Sequence, residues 1–301
     1  MELSIVIPSW NTVGLLRACL FSIERAEKPE TEIIVVDNAS GDASADMVAE
    51  EFPNVKLKRN DANEGFAIGC NQGIAMATGD YILLLNADTE IIGNGLVEMV
   101  DYLREHPEYG GVAPQLVHPD GSIQTACMRF PNFWTPFFFG TPFERWFPKS
   151  PELVRYFMME WDHGDERDID QPPAACLTVR REVVDQVGVF DEQLWLFFND
   201  VDLSLRMSQA GWKTRYLESV KVLHHEGAST KKFGSFIPEW HRNRLAYFRK
   251  HHGPLAGPWV KFCVATSMLD FSVTQGWRRL RGKSYEDPRP MLRSFANFLR
   301  Q

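Results

Sequence analysis

The stretch NEGFAIGCNQGIAMATGDYILLLNADTEI, Asn63 to Ile91, decides how the chain is read. It passes from a glycine-punctuated loop through a helix of small residues into an apolar strand, Tyr81–Leu85, and stops at Asn86-Ala87-Asp88. Ile82, Leu83, Leu84 and Leu85 in a row mark that strand as buried. A carboxylate left unpaired at the edge of such a core costs several kcal/mol. A divalent cation or a ligand's hydroxyls would supply partners for Asp88, and the C-terminal ends of strands in open α/β sheets are where ligands sit. The alternative is that Asn86 and Asp88 cap a turn before Thr89; the stretch alone leaves both readings open.

Toward the N-terminus, Leu3–Pro8 reads as a short buried strand. Asn11 or Thr12 then caps a helix whose apolar positions are Leu15, Leu16, Cys19, Leu20 and Ile23. Ile33–Val36 is a second strand, ending in the turn-rich junction Asp37–Asp42 before a helix that carries Met47 and Val48. Val55–Arg59 is a third. Strands alternating with helices predict a parallel α/β sheet, with Pro8–Asn11, Asp37–Asp42 and Asn86–Asp88 on one rim. No GxGxxG follows the first strand and no GxxxxGK[ST] occurs, which argues against the usual dinucleotide and P-loop fingerprints. Asp37 suits either a ribose hydroxyl or base N–H, or a helix cap.

Toward the C-terminus, Leu96, Val97, Val100 and Leu103 mark an amphipathic helix, and Gly111–Val117 a strand ending in the turn Pro119-Asp120-Gly121. The composition then changes. Nine aromatic residues lie between Phe130 and Phe147, interrupted by Pro131, Pro136 and Pro142, too many prolines for one regular helix. Either the rings are buried on the core, or they form an acceptor-side or membrane-facing flap. Ala174–Val179 is a strand and Arg181–Val187 a short helix; Asn199-Asp200-Val201-Asp202 opens another helix that runs to Gly211. Asp202 and Arg206 are spaced to pair on one helix face. Asp200 sits where the positive helix end favours its charged form, so strong basicity requires burial. Lys213–Leu217 and Val220–Leu223 read as two short strands, the second ending in His224-His225-Glu226-Gly227. Those histidines are a metal or phosphate site if Asp88 is their partner, and structural otherwise. From Pro238 the chain is helical and increasingly basic, and Trp259–Arg281 reads as an amphipathic helix whose Trp277–Lys283 end suits a bilayer interface or a solvated tip.

The 301 residues make one large domain, or one domain with an extension, and an apolar fraction of 44% supports a full core. A net charge of −8 with no dominant basic face excludes a general nucleic-acid binder. The five cysteines, at 19, 70, 127, 176 and 263, form no CxxC pair and read as reduced thiols of a cytosolic protein. No signal peptide and no membrane span is expected.

Six segments stand in register: SIVIPSWN, IIVVDNASGD, NEGFAIGCNQGI, GDYILLLNADTEI, FFNDVDLSLRMSQAGW and VLHHEGAST. In this order the chain resembles the family 2 inverting glycosyltransferases of the GT-A fold, over about residues 3–250. The wording NADTEI and the ending after His224 look most like the bacterial rhamnosyltransferase branch, which moves rhamnose from dTDP-rhamnose to a lipid-linked or polysaccharide acceptor. The resemblance implies an α/β nucleotide-diphospho-sugar transferase fold with a mostly parallel central sheet flanked by helices. It implies a catalytic domain over 1–237, with a nucleotide half at about 1–117 and an acceptor half at about 118–237, and a helical extension over 238–301.

The same resemblance implies roles. Pro8, Trp10 and Asn11 border the nucleotide, Asp37 contacts base or ribose, and Asn63, Gly65 and Asn71 shape the pocket. Asn86, Ala87 and Asp88 stand at the family's metal-binding DxD element, with Asp88 as the ligand. Asn86 replaces its first aspartate, which lowers the charge offered to a cation and leaves Asn86 and Ala87 to the nucleotide. Asp200 matches the general base of the ED motif, whose glutamate is here Asn199. Arg206 approaches the diphosphate, and His224, or His225 in the alternative register, joins Asp88 around Mg²⁺ or Mn²⁺. The partners implied are a nucleotide-sugar donor and a glycan or polyprenyl-diphosphate-linked saccharide. A membrane surface met through 130–147 and 258–283 is added to these, with a cytoplasmic location at the inner face of the cell membrane. Rival readings are a UDP-sugar donor, a nucleotidyltransferase, which would need the basic glycine-rich loop absent from SIVIPSWN, and a non-catalytic binding module, which would have lost Asp200.

Overall fold

The structure is a computed structural model and describes residues 1–225, 236–282 and 289–300. The chain forms two compact units, residues 1–128 with 161–234 and residues 129–160 with 235–301. The first unit opens with β1 (Leu3–Ser9), α1 (Val13–Arg25), β2 (Thr31–Asp37), α2 (Ser44–Glu51), β3 (Lys56–Arg59), α3 (Phe66–Met76) and β4 (Tyr81–Leu85). It continues through β5 (Thr89–Ile91), α4 (Gly95–Glu105) and β6 (Tyr109–Val117). The chain then enters the second unit for α5 (Thr135–Phe138), α6 (Pro142–Trp146) and α7 (Pro151–Tyr156). It returns to the first for β7 (Arg167–Asp168), β8 (Cys176–Arg180), α8 (Arg181–Val187), α9 (Asn199–Gln209) and β9 (Lys213–His224). It ends in the second with α10 (Phe236–His251), α11 (Ala256–Leu280) and α12 (Arg289–Arg300).

One sheet runs in the order β3-β2-β1-β4-β8-β6-β9-β5, with β7 also on β9. The expected parallel half is β3-β2-β1-β4. Beyond it the sheet is mixed, because β8 runs antiparallel to both β4 and β6, β9 is parallel to β6, and β5 is antiparallel to β9. The directions put the C-terminal ends of β1, β2, β4, β6 and β9 on one rim with the first residues of β5 and β8. Alternation along β1 serves both faces of the sheet. Leu3, Ile5 and Ile7 join the core with Leu16, Cys19, Leu20 and Ile23 of α1, while Val6 meets α3. That second contact is close: a Cβ on Gly73 would lie 2.3 Å from a Val6 methyl carbon.

Two features of the sheet depart from the expected strands. β5 is too short for a periodic signal, yet its pairing of Thr89 with His224 aligns the two candidate ligand turns. The two strands expected after Lys213 are one strand, in which the partner of Pro114 is Leu217 and that of Gln115 is Lys221, so residues 218–220 bulge out.

In the second unit the prolines start helices. Pro136, Pro142 and Pro151 each occupy the first turn of α5, α6 or α7, where a missing N–H costs nothing. The aromatic segment, expected with the acceptor half, packs with the C-terminal helices. Trp259 of α11 stacks on Phe133 and Phe137 at 5.5 and 5.8 Å and donates from Nε1 to the Phe133 carbonyl at 2.8 Å. Arg244 of α10, fully buried, holds the carbonyls of Pro136 and Phe139 at 2.6 and 2.9 Å. Trp134, Trp146 and Phe147 stay exposed. α11 is apolar on two faces: Val260, Cys263, Val264 and Met268 are buried, whereas Phe262, Leu269, Val273, Trp277 and Leu280 form an exposed stripe at helical spacing.

Candidate active site

Three loops at the ends of β1, β2 and β3 are bonded together. Asn11, with φ of 54°, takes the Gly41 N–H on Oδ1 at 2.6 Å and gives its own N–H to the Ser40 hydroxyl. Asp37 ends β2 and is buried; its Oδ2 accepts from the Ser40 N–H at 3.0 Å, and Oδ1 has no partner among the described residues. Asn38, which the sequence did not single out, spans the loops: Nδ2 donates to the Gly65 carbonyl and Oδ1 accepts from Asn60. Asn63 turns the next loop by accepting the Gly65 N–H, and Gly65 has φ of 92°. A Cβ there would lie 2.3 Å from the Trp195 indole nitrogen, so Gly65 is required by both conformation and space. Asn71 clamps the main chain of Phe190 in both directions at 3.0 Å. Pro8 lies in β1, with Trp10 just past its end.

The turn after β4 is supported from beneath. The Asn86 N–H donates to the Ala175 carbonyl, and the Asn86 carbonyl accepts from the Thr89 hydroxyl at 2.7 Å. Ala87 is buried in the core. Cys19 packs under this turn, its thiol pushed up to about 12 by burial. Asp88 Oδ1 lies 3.4 Å from His224 Nε2. His225 points elsewhere, to Glu90 at 2.9 Å, while its N–H donates to the Asp88 carbonyl. Neighbouring residues on a strand face opposite ways, which explains the split. Gln124, in the segment that folds back along β6, bonds His224 at two points, the ring Nδ1 at 2.9 Å and the main-chain carbonyl at 2.7 Å. Among the described residues no three His, Cys, Asp or Glu side chains converge as a metal cluster. Glu226 to Thr230 lie outside the described residues, as does Lys283.

Asp200 opens α9 and is half-buried. Burial raises its pKa above the ordinary aspartate range, against the opposing hydrogen bonds from the Val201 and Ala174 N–H groups. Desolvation thus outweighs the helix end, the condition that basicity required. The Asp202–Arg206 pair forms at 2.8 Å with Asp202 fully buried. The rest of the Arg206 guanidinium goes to the carbonyls of Val187, Gly188 and Val189. One short segment joins the two halves of the site: Ala175 holds Asn86 and Ala174 reaches Asp200 at 3.5 Å.

The rim therefore presents a buried carboxylate with an unpartnered oxygen at β2, a carboxylate and an imidazole face to face at β4 and β9, and a carboxylate of raised pKa beside β8. The family described as Glycosyl transferase family 2 matches residues 4–161. The chain belongs to glycosyl transferase family 2. This glycosyltransferase is 26% identical over 262 residues to the N-acetylglucosaminyl-diphospho-decaprenol L-rhamnosyltransferase of Mycobacterium tuberculosis (strain ATCC 25618 / H37Rv), 83% of this chain and 85% of that protein. It is 28% identical over 267 residues to the O-antigen biosynthesis protein RfbC of Myxococcus xanthus, which covers 86% of this chain but 20% of that protein. Mannosyltransferase PcManGT from Pyrobaculum calidifontis, solved with GDP-Man and Mn²⁺, superposes with a TM-score of 0.57 at 16% identity, covering 100% of this chain and 81% of that one. S. aureus TarS 1-349 with UDP gives 0.51 at 17% identity, covering 81% and 66%. These likenesses show the fold, that of the GT-A glycosyltransferases.

Proposed function

We propose that this family 2 glycosyltransferase moves L-rhamnose from dTDP-L-rhamnose to a hydroxyl of a glycan or lipid-linked saccharide, with inversion, in cell-surface polysaccharide synthesis. The observation that carries the reading is the single rim on which Asp37, Asp88, His224 and Asp200 gather, with Ala174 and Ala175 linking the last to the Asn86 turn. The rhamnose choice rests on the mycobacterial rhamnosyltransferase that matches along most of its length. In the reaction the acceptor oxygen bonds to the anomeric carbon as the bond to the diphosphate oxygen breaks. Asp200 takes the hydroxyl proton, and its raised pKa makes it a stronger base than a surface aspartate. Asp37 Oδ1 accepts an N–H of the base or a ribose hydroxyl. Pro8, Trp10, Asn11, Asn63, Gly65, Asn86 and Ala87 border the nucleotide. Asn71 acts by holding the Phe190 segment, and Arg206 is assigned no donor contact because Asp202 and the carbonyls of Val187, Gly188 and Val189 take four of its five N–H groups.

Asp88 Oδ1 and His224 Nε2, an oxygen and a nitrogen 3.4 Å apart, would hold a Mg²⁺ or Mn²⁺ ion. When bound, such a cation offsets charge on the departing diphosphate. We assign the enzyme to the cytoplasmic face of the membrane as a peripheral protein. The support is the exposed stripe of α11 beside Arg278, Arg279 and Arg281, together with Trp134, Trp146, Phe147 and an apolar groove of about 680 Å³ lined by Phe137, Phe138, Phe143 and Phe147. No helix among the described residues is long and apolar enough to cross a membrane.

The test is a donor panel of dTDP-rhamnose, UDP-glucose, UDP-galactose, UDP-N-acetylglucosamine and GDP-mannose, each with Mg²⁺ or Mn²⁺. It is read by thermal shift and by sugar transfer or hydrolysis. Selective stabilisation and turnover with dTDP-rhamnose is expected. Selective response to a UDP-sugar discards rhamnose and keeps the mechanism; binding without turnover on any acceptor favours a non-catalytic module.

A further inference from the structure

Gln124 is buried, lies outside the residues assigned above, and makes three hydrogen bonds with both ends of its amide. Oε1 lies 2.9 Å from His224 Nδ1; Nε2 lies 2.7 Å from the His224 carbonyl oxygen and 3.0 Å from His118 Nδ1. The carbonyl settles which end is which. A carbonyl oxygen only accepts, so the amide NH₂ must face it and the amide oxygen must face the ring. An amide oxygen also only accepts, so His224 Nδ1 must carry a proton. In the neutral ring that leaves Nε2 with its lone pair, and Nε2 is the atom 3.4 Å from Asp88 Oδ1. Two acceptors then face each other across a gap suited to a shared positive charge.

We infer that Gln124 is a positioning residue: it holds His224 in the Nδ1-protonated tautomer and thereby aims the Nε2 lone pair at Asp88 as a ligand position. The inference rests on the reading of Asp88 and His224 as cation ligands. It explains why a glutamine follows the turn His118–Ser122. That turn reverses the chain at the end of β6 and brings Gln124 alongside the last residue of β9. A ligating histidine whose other ring nitrogen is held by an acceptor is oriented and made more basic, and loss of such a partner weakens metal affinity by roughly 10- to 100-fold.

The test uses the full chain labelled with ¹⁵N-histidine. Long-range ¹H–¹⁵N spectra without metal show which ring nitrogen of His224 carries the proton, the signals being assigned by their loss in His224→Gln. The wild type is expected to show the Nδ1-protonated form. Gln124→Met, which removes the acceptor, should lose it, and the Kd for Mn²⁺ in the presence of dTDP, read from the signal of free Mn²⁺, should rise about tenfold. Gln124→Glu keeps the acceptor and gives up the two N–H donors, so it should keep the tautomer. A wild-type ring protonated on Nε2 overturns the inference without any variant. So does a Gln124→Met protein with unchanged tautomer, or one with unchanged Mn²⁺ affinity beside a weakened Asp88→Asn control. Equal Mn²⁺ binding by the wild type and Asp88→Asn removes the metal reading and with it the ligand role, while the tautomer spectra still report what Gln124 does to the ring.

Discussion

Asp200 carries a charge that its surroundings resist. A buried carboxylate of raised pKa weakens the fold as pH climbs from about 3.9, the usual aspartate value, through its own higher one, because the unfolded chain ionises first. Asp200→Asn removes that burden and keeps an acceptor for the Val201 N–H. We expect unchanged or higher Tm at neutral pH and kcat lower by roughly 10²–10⁴-fold, with donor affinity retained. Wild-type turnover with saturating donor would sink the base assignment. The raised pKa also places the acid limb of the kcat/KM profile above the range of an exposed aspartate. Asp37 acts differently. Its unpartnered Oδ1 is expected to bind the nucleotide, so Asp37→Ala should raise the Kd for dTDP about tenfold by calorimetry, the size of one hydrogen bond to a charged group. Both aspartates were visible in the sequence because each ends a strand or opens a helix in a recognisable pattern. Gln124 was not. Its partner His224 is 100 residues away, and only the pairing of β6 with β9 brings the two together.

At the scale of elements, Glu32 ties three strands and the loop before β4. Its carboxylate accepts from Ser4 of β1 at 2.6 Å, Lys56 of β3 at 2.6 Å, and the Thr78 N–H and hydroxyl at 2.6 and 2.8 Å. Burial alone would raise its pKa, but these donors prevail and hold it at about 2. A depressed value means the stability is present above about 4.3, the usual glutamate value, and is lost as pH falls from there toward 2. Glu32→Gln should cost about 2 kcal/mol at pH 7 in urea unfolding, with a smaller deficit at pH 3. Gly73→Ala should destabilise by about 1–3 kcal/mol by overpacking against Val6, with no change in the donor preference. The parallel half of the sheet was legible because the apolar runs of β1, β2 and β4 are each flanked by a turn and a helix. β5 was hidden by its three residues, and the bulge at 218–220 made one strand look like two. No single regular helix spans 130–147, as its prolines imply, and two of them, Pro136 and Pro142, start short helices, since proline spoils only the interior of a helix.

At the scale of the whole molecule, the exposed stripe of α11 predicts attachment. Leu269 and Trp277 are 67% and 58% exposed, so the double variant Leu269→Glu, Trp277→Glu should leave Tm nearly unchanged. Its co-sedimentation with vesicles containing anionic lipid should fall several-fold, and wild-type binding should weaken with added salt. Equal binding by variant and wild type would remove the membrane from this account. The interleaved path of the chain has a further consequence, in the order of synthesis. Residues 129–160 belong to a unit whose remaining helices begin only after residue 234. Trp259, which stacks on Phe133 and bonds its carbonyl, follows it by 126 residues. At about 5–20 residues per second a ribosome takes roughly 6–25 s to deliver it, whereas collapse of a chain takes microseconds. For those seconds Phe133 and Phe137 are nascent chain without Trp259, and this is the interval in which a holding chaperone has something to hold.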